Sequence, residues 1–253
     1  MNFLQRSTAF AYGVFAYAVF LVTALYAIGF IGGFLTPTSL DGAPTLPFWQ
    51  ALAIDTLLLG LFAVQHSVMA RPAFKRWWTR IVPEPVERST YVLFSSVALL
   101  LLFAFWQPMG GVIWDVDDMT GRVVLYALYA FGWALVFATT FLINHFDLFG
   151  LRQVWLHLRG QPYTHLRFVT PGPYRMVRHP LYVGWLFAFW ATPTMTVAHL
   201  VFALATTAYI LIAIQFEERD LVAAHGDDYR LYRARVPMLV PRLFGRLRGR
   251  ASV

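Results

Sequence analysis

No cysteine occurs in the 253 residues. That absence excludes a disulfide framework, a thiolate metal site and a cysteine nucleophile. Charge is also scarce. Asp, Glu, Lys and Arg together make up 13% of the chain, roughly half of what soluble domains carry, too little to coat a water-facing globule. The sequence has no glycine-rich dinucleotide loop, and no two of its 7 histidines stand four residues apart, so the i, i+4 pair of a zinc helix is missing and no metal is expected.

What is present is apolar: 58% hydrophobic residues and 17% aromatics place the chain in the membrane class. The net charge of +7 then suits anionic lipid headgroups better than nucleic acid, so the expected partner is a lipid bilayer. Residues 10 to 34 run apolar for longer than the core of a signal peptide, with no small-residue cleavage site. This first segment is expected to be retained.

A spanning helix needs about 20 mostly apolar residues. Four segments qualify, roughly 10 to 34, 49 to 70, 89 to 107 and 122 to 144. A fifth apolar region, 181 to 216, is too long for one helix and is interrupted by Thr192-Pro193-Thr194, which predicts a helical hairpin with one short and one longer arm. Charge tests that reading through the positive-inside rule. Arg6 precedes the first helix; five basic residues (Arg71, Lys75, Arg76, Arg80, Arg88) separate the second from the third; five more (Arg152, Arg159, Arg167, Arg175, Arg178) precede the hairpin; eight follow it. The opposite loops hold Asp41, Asp115, Asp117 and Asp118 instead, with Arg122 the remaining basic residue of the 20. The expected fold is therefore all-α: a polytopic integral membrane protein with four spanning helices plus a C-terminal helical hairpin, both termini cytoplasmic. Residues 1–144 form a helical scaffold. Residues 145–253 form a cytoplasmic loop, the hairpin and a basic tail.

The richest polar stretch runs from His165 to Trp185. Thr170-Pro171-Gly172-Pro173 forces a turn, and Pro180 suits the first turn of a helix. Arg178 and His179 then sit at a helix start, where free backbone N–H groups attract an anion such as a carboxylate. An interfacial Arg/Tyr/Trp belt would have a similar composition. At the far end of the hairpin stands Glu217-Glu218-Arg219-Asp220, and because a hairpin returns its end to its start, the two glutamates should lie beside Arg178, His179 and Tyr182.

The string Gly172-x-Tyr174, Arg178-His179-Pro180-x-Tyr182-x-Gly184, then Glu217-Glu218 and Gly226-x-x-Tyr229-x-x-Tyr232, resembles the isoprenylcysteine carboxyl methyltransferase superfamily of membrane methyltransferases. The resemblance covers roughly residues 160 to 240. It implies S-adenosylmethionine as cofactor, held by Leu166, Val169, Tyr174, His179, Pro180, Leu181, Tyr182 and Glu218, with Gly172 in the same motif. The chemistry fits: a carboxylate for Arg178 and the helix start, an ammonium and ribose hydroxyls for Glu217 or Glu218, and a sulfonium for the faces of Tyr174, Tyr182 and Trp185, a cation–π contact of about 0.5–2 kcal/mol. Two departures matter. Prenylcysteine enzymes place an arginine where Ile214 stands, which argues against a prenylcysteine substrate, and the family pattern has a histidine at Leu166, one residue from His165.

Three further strings, Ala63-Val-Gln65-His66-Ser67-Val-Met-Ala-Arg71-Pro72, Pro85-Val-Glu87-Arg88-Ser-Thr-Tyr91 and Phe141-Leu-Ile-Asn144-His145-Phe-Asp147-Leu-Phe-Gly150-Leu-Arg152-Gln153, extend the resemblance over nearly the whole chain. They are similar to a bacterial family of membrane thiol methyltransferases related to NnrU-type membrane proteins. That resemblance implies a bacterial inner-membrane enzyme whose active site faces the cytoplasm and whose acceptor is a small thiol. A transport or assembly protein of the NnrU type, or another lipophilic acceptor, are the competing readings.

Ionisable residues at membrane depth are costly and so are functional candidates, against a plain role in helix–helix hydrogen bonding. Gln65 and Asn144 are expected to line the thiol site. A thiol attacks as its thiolate, and a free cysteine thiol ionises only near pKa ~8.5, so a base or a positive field is needed. His145 oriented by Asp147, or alternatively His66, is the expected catalytic base.

Overall fold

The computed structural model describes residues 3–164 and 166–242. In chain order the elements are α1 (Phe3–Gly32), α2 (Phe48–Ala70), α3 (Pro72–Trp78), α4 (Glu84–Phe105), β1 (Val112–Asp115), α5 (Met119–Ile143), α6 (His145–Leu148), α7 (Leu151–Leu158), α8 (Pro180–Trp190), β2 (Thr194–Thr196), α9 (Val197–His225) and α10 (Asp227–Arg235), with a 3-10 turn over Gly172–Arg175 before α8. Helices α1, α2, α4, α5 and α9 are long and apolar enough to cross a bilayer. Their outward faces carry bare apolar side chains such as Val22 (61% exposed) and Leu57 (73% exposed), the signature of a lipid-facing surface. This is a polytopic membrane protein.

Local chemistry sets the helix ends. Pro47 and Pro83 precede α2 and α4. Glu84 and Glu87 in the first turn of α4 complement the positive end of the helix dipole. Asp118 caps α5 through Oδ2, which accepts from the Gly121 amide at 2.7 Å, and Thr196 caps α9 by accepting from the His199 amide at 3.1 Å. Arg71 is extended (φ −73°, ψ 140°) because the ring of Pro72 disfavours helical geometry in the residue before it. α2 stops there, and α3 turns away. Helices α1 and α4 start at Phe3 and Glu84, ahead of the apolar stretches at 10 and 89, since their polar first turns stay helical.

The hairpin forms, with an addition not legible in the sequence. Its short arm α8 has 11 residues, about 16 Å at 1.5 Å per residue, about half a hydrocarbon core. The chain then continues extended into β2, which pairs antiparallel with β1: Val112 opposite Thr196, Trp114 opposite Met195 and Asp115 opposite Thr194. The two strands satisfy one another's backbone groups, and Trp114 Nε1 donates to the Thr192 carbonyl at 3.2 Å. The Thr192-Pro193-Thr194 break is therefore a strand entry rather than a tight turn. The long arm α9 has 29 residues, about 43 Å, more than the ~30 Å hydrocarbon thickness, so its last turns reach beyond it.

Two glycines hold α8 in place. A Cβ on Gly132 of α5 would lie 2.7 Å from the Gly184 carbonyl oxygen and the Ala188 nitrogen, and one on Gly184 would lie 2.7 Å from the Gly132 oxygen. The two backbones are thus in direct contact, as small residues permit between membrane helices. Around this seam Phe30, Phe103, Trp106, Trp133, Phe189 and Phe202 fill the interior. On the ribbon side, Asp41 of the α1–α2 loop ties down the start of α9, accepting from Thr196 Oγ1 at 2.5 Å and meeting His199 Nδ1 at 3.1 Å.

Candidate active site

At the opposite end of the bundle the start of α8 meets the end of α9. Pro180 occupies the first turn of α8, leaving the amides of Leu181 and Tyr182 without helical partners. His179 is buried and its Nε2 lies 3.0 Å from Glu218 Oε1. Arg178 Nε donates to the same oxygen at 2.6 Å. Tyr182 Oη donates to Glu217 Oε2 at 2.9 Å, with His179 Nδ1 3.8 Å from that oxygen. Residues nearly forty apart in sequence are brought together because the hairpin folds back on itself.

Arg178 differs from expectation. Its Nη1 donates to the carbonyls of Arg233 (3.1 Å) and Val236 (2.5 Å), and its backbone amide donates to the Pro237 carbonyl at 2.8 Å, with His179 N following onto Met238 O at 3.2 Å. Arg178 therefore fastens the segment after α10 to Glu218 rather than offering its guanidinium outward. Glu218 is enclosed by these partners and Glu217 is the more open carboxylate, its side chain 42% exposed against 10%.

Gly172 holds φ +51°, a left-handed conformation that favours glycine, and this permits the turn carrying Tyr174. Tyr232 Oη donates to the Tyr174 carbonyl at 2.6 Å. Burial, then the nearby Glu217 carboxylate, raises the Tyr174 phenol above its ordinary value, and burial pushes Tyr232 up to about 12. Neither phenol is a base near neutrality. Leu166 and Val169 are exposed. Leu166 and Phe168 line an open cleft of about 700 Å³ with Thr170, His225 and Tyr232, and Tyr229 is buried with no partner for its Oη among the described residues. His165 lies outside the described residues, as does the end of the basic tail.

The two candidate bases occupy different surroundings. His145 does not meet Asp147. Asn144, at φ 126°, breaks the chain between α5 and α6, and its Oδ1 is occupied capping the Asp147 amide at 3.1 Å. The Asp147 carboxylate turns to Arg152 Nη1 (2.9 Å) and Tyr163 Oη (3.3 Å). His145 is buried, stacked on Phe141 at 4.1 Å, with Nδ1 2.8 Å from Thr140 Oγ1 and Nε2 2.8 Å from Tyr17 Oη. The Thr140 hydroxyl donates to the Phe137 carbonyl, so it accepts from Nδ1–H and Nε2 accepts from Tyr17. Burial lowers the His145 pKa. This is a neutral, fully bonded imidazole within an aromatic shell of Tyr17, Phe20, Phe146 and Phe149.

His66 lies on the side of α2 that meets α9. Tyr91 Oη is 2.9 Å from its Nε2 and Ser95 Oγ is 3.1 Å from its Nδ1. Next to it, Ser67 Oγ meets Tyr209 Oη of α9 at 3.1 Å, and Phe62 packs against both His66 and Tyr209. Tyr209 ties this cluster to α9, the helix that also carries Glu217 and Glu218. Gln65 donates to Met69 Sδ at 3.2 Å, and its Oε1 has no partner among the described residues. Tyr91, Ser95 and Tyr209 were not identified as site residues from sequence. The available signal was a polar side chain inside each apolar run, and Tyr209 stands eight residues before Glu217, about two helical turns.

A membrane bundle with paired glutamates under an Arg-His-Pro helix start defines a class, the integral membrane methyltransferases, and sequence comparison agrees. The phospholipid methyltransferase family profile matches residues 122–227. The chain is 59% identical over 240 residues to the methanethiol S-methyltransferase of Crocosphaera subtropica, covering 95% of this chain and 94% of that one. It is 57% identical over 238 residues to the one from Mycobacterium tuberculosis, covering 94% and 98%. Nurim of Rattus norvegicus is 33% identical over 182 residues, 68% of each chain. No solved structure matches significantly. The chain belongs to the methanethiol S-methyltransferase family.

Proposed function

We propose that this protein catalyses methyl transfer from S-adenosylmethionine to methanethiol, giving dimethyl sulfide, at the cytoplasmic face of a bacterial inner membrane. The observation that carries the reading is the closure of the hairpin, which sets Glu217 and Glu218 against Tyr182, His179 and Arg178 at the start of α8. A second polar cluster, His66 with Tyr91 and Ser95 and Ser67 with Tyr209, lies between α2, α4 and α9, and it is the place this reading gives to the thiol. The basic residues clustered on the loops at that end support the cytoplasmic orientation.

The donor set suits the cofactor. Glu217 is an open carboxylate for an ammonium or ribose hydroxyls, the α8 start presents free amides for a carboxylate, and Tyr182, Tyr174 and Phe168 offer aromatic faces. S-adenosylmethionine, when bound, supplies a methyl group on a positively charged sulfur. The chain's own task is to hold the thiol, exclude water and take its proton. The thiol proton passes to Tyr91 Oη as the Tyr91 hydroxyl proton moves to His66 Nε2, and the S–H electron pair stays on sulfur as the thiolate. Positioning the thiolate in a dry pocket can supply ~7–11 kcal/mol of the barrier. Residues 1–144 are then the scaffold that presents His66, and residues 145–253 the cofactor half.

The test incubates detergent-purified protein with S-adenosylmethionine and methanethiol and measures dimethyl sulfide in the headspace. Cofactor-dependent product that is lost together with S-adenosylmethionine binding in Glu217→Gln, the open carboxylate of the pair, supports the reading. Protein that binds S-adenosylmethionine yet forms no product has another acceptor, and protein that binds neither is no methyltransferase.

A further inference from the structure

Arg88 stands at the start of α4 and is not used above. Its Nε donates to the Leu148 carbonyl at 2.7 Å and its guanidinium carbon sits 5.0 Å from the centre of the Tyr91 ring. Among the described residues no carboxylate comes within ion-pair distance of it. A guanidinium held only by a carbonyl and an aromatic face keeps its full charge, and it keeps it beside the phenol that bonds His66.

Resting on the methyl-transfer reading, we propose that Arg88 is a positioning residue of the acceptor pocket: a fixed cation aimed through Tyr91 at the bound thiol, which makes that thiol give up its proton at a lower pH.

The surrounding charges are accounted for element by element. From α2 and its end come His66 and Arg71, and Arg71 is neutralised by Asp220 of α9 at 2.8 Å. From α3 comes Lys75, which has no ion-pair partner among the described residues; burial, then the neighbouring Arg88, lowers its pKa, with Glu87 and Asp220 opposing. From α4 come Glu87, Arg88 and Tyr91; from α8, Tyr182; from α9, Tyr209, Glu217 and Asp220. Of the two guanidiniums at this end of α2 and α4, Arg88 stands over the Tyr91 ring that bonds His66, while Arg71 is held by Asp220. Asp147, from α6, is paired with Arg152. The sign follows without assigning the proton. Whichever member of the thiol–His66 pair loses the first proton, a fixed positive charge makes that loss easier.

The experiment measures kcat for dimethyl sulfide formation against pH at saturating methanethiol, which reports ionisation in the bound complex. In Arg88→Gln the acid limb should move up by roughly one pH unit while the alkaline plateau changes little, and Arg88→Lys should return the limb toward the parent position. A lowered plateau with an unmoved limb overturns the proposal, since loss of structure alone does not shift a titration. Should Arg88→Gln fail to fold, Arg88→Met, which keeps much of the side chain's bulk without its charge, takes its place with the same two outcomes: an acid limb moved up supports the proposal and an unmoved limb overturns it. A parent protein that binds S-adenosylmethionine but does not methylate methanethiol counts against the methyl-transfer reading instead. The field is then read from the ultraviolet absorbance of the methanethiolate bound to parent and variant: an onset at lower pH in the parent supports it, and coincident onsets overturn it.

Discussion

His66 and His145 have the same inventory of contacts, two ring nitrogens each bonded to a hydroxyl, and differ in what lies beyond those hydroxyls. Behind Tyr91 is the Arg88 guanidinium, and Ser67, next to His66, meets Tyr209 of α9; behind Tyr17 are phenylalanines. His66→Ala is therefore expected to lower kcat by about 10²-fold or more with cofactor affinity retained, while His145→Ala leaves kcat within a few-fold and costs about 1–3 kcal/mol of stability through the unsatisfied Tyr17 and Thr140 groups. Headspace assays and thermal denaturation separate the two. The depressed pKa of His145 adds a pH signature. The unfolded chain takes up this proton first, so the stability contributed is present above the ordinary histidine value of about 6.5 and is lost as pH falls from there through the lower value of the folded protein. His145→Gln should flatten that acid-side loss. Glu218 is the opposite kind of residue, a carboxylate enclosed by His179 and Arg178, and Glu218→Ala should cost about 3–5 kcal/mol because it leaves a buried guanidinium unpaired.

At the scale of elements, what matters is the contact of α5 and α8. The cluster of Arg178, His179 and Tyr182 with the two glutamates is built on the first turn of α8, and α8 is placed by the Gly132–Gly184 backbone contact rather than by its own length. Gly184→Ala should cost about 1–3 kcal/mol through overpacking and weaken S-adenosylmethionine binding as well, since displacing α8 moves His179 and Tyr182 away from α9. Cofactor titration beside a denaturation curve checks both. The Arg71–Asp220 pair, which ties the end of α2 to α9, is about a third exposed on each side, so Asp220→Asn should cost no more than ~1 kcal/mol. The helices were legible in the sequence because apolar runs, prolines and caps are local signals. The β1–β2 ribbon was not, because Val112–Asp115 and Thr194–Thr196 become strands only by satisfying one another's backbone groups across eighty residues.

The whole molecule is polarised: aspartates and the ribbon at one end, basic loops and the polar pocket at the other. Its lack of cysteine makes that polarity easy to test with single introduced thiols. In spheroplasts, a membrane-impermeant maleimide should label Thr45→Cys and Asp117→Cys directly, and should label Arg80→Cys and Gln161→Cys only after permeabilisation. The reverse pattern would place the pocket on the outer face.

Composition and order of residues were enough to determine that the chain lives in a bilayer, which segments cross it, that a hairpin closes it, and that Arg178, His179, Tyr182, Glu217 and Glu218 converge. These follow from hydropathy, charge placement and a fold-back, all written along the chain. Only the tertiary structure decided which histidine stands beside Tyr209 of α9, that Asp147 answers Arg152 rather than His145, that Arg178 clamps the chain after α10, and that Arg88 stands over Tyr91. Those outcomes depend on the rotation of each helix about its axis and on the break at Asn144, which are set by packing between distant segments.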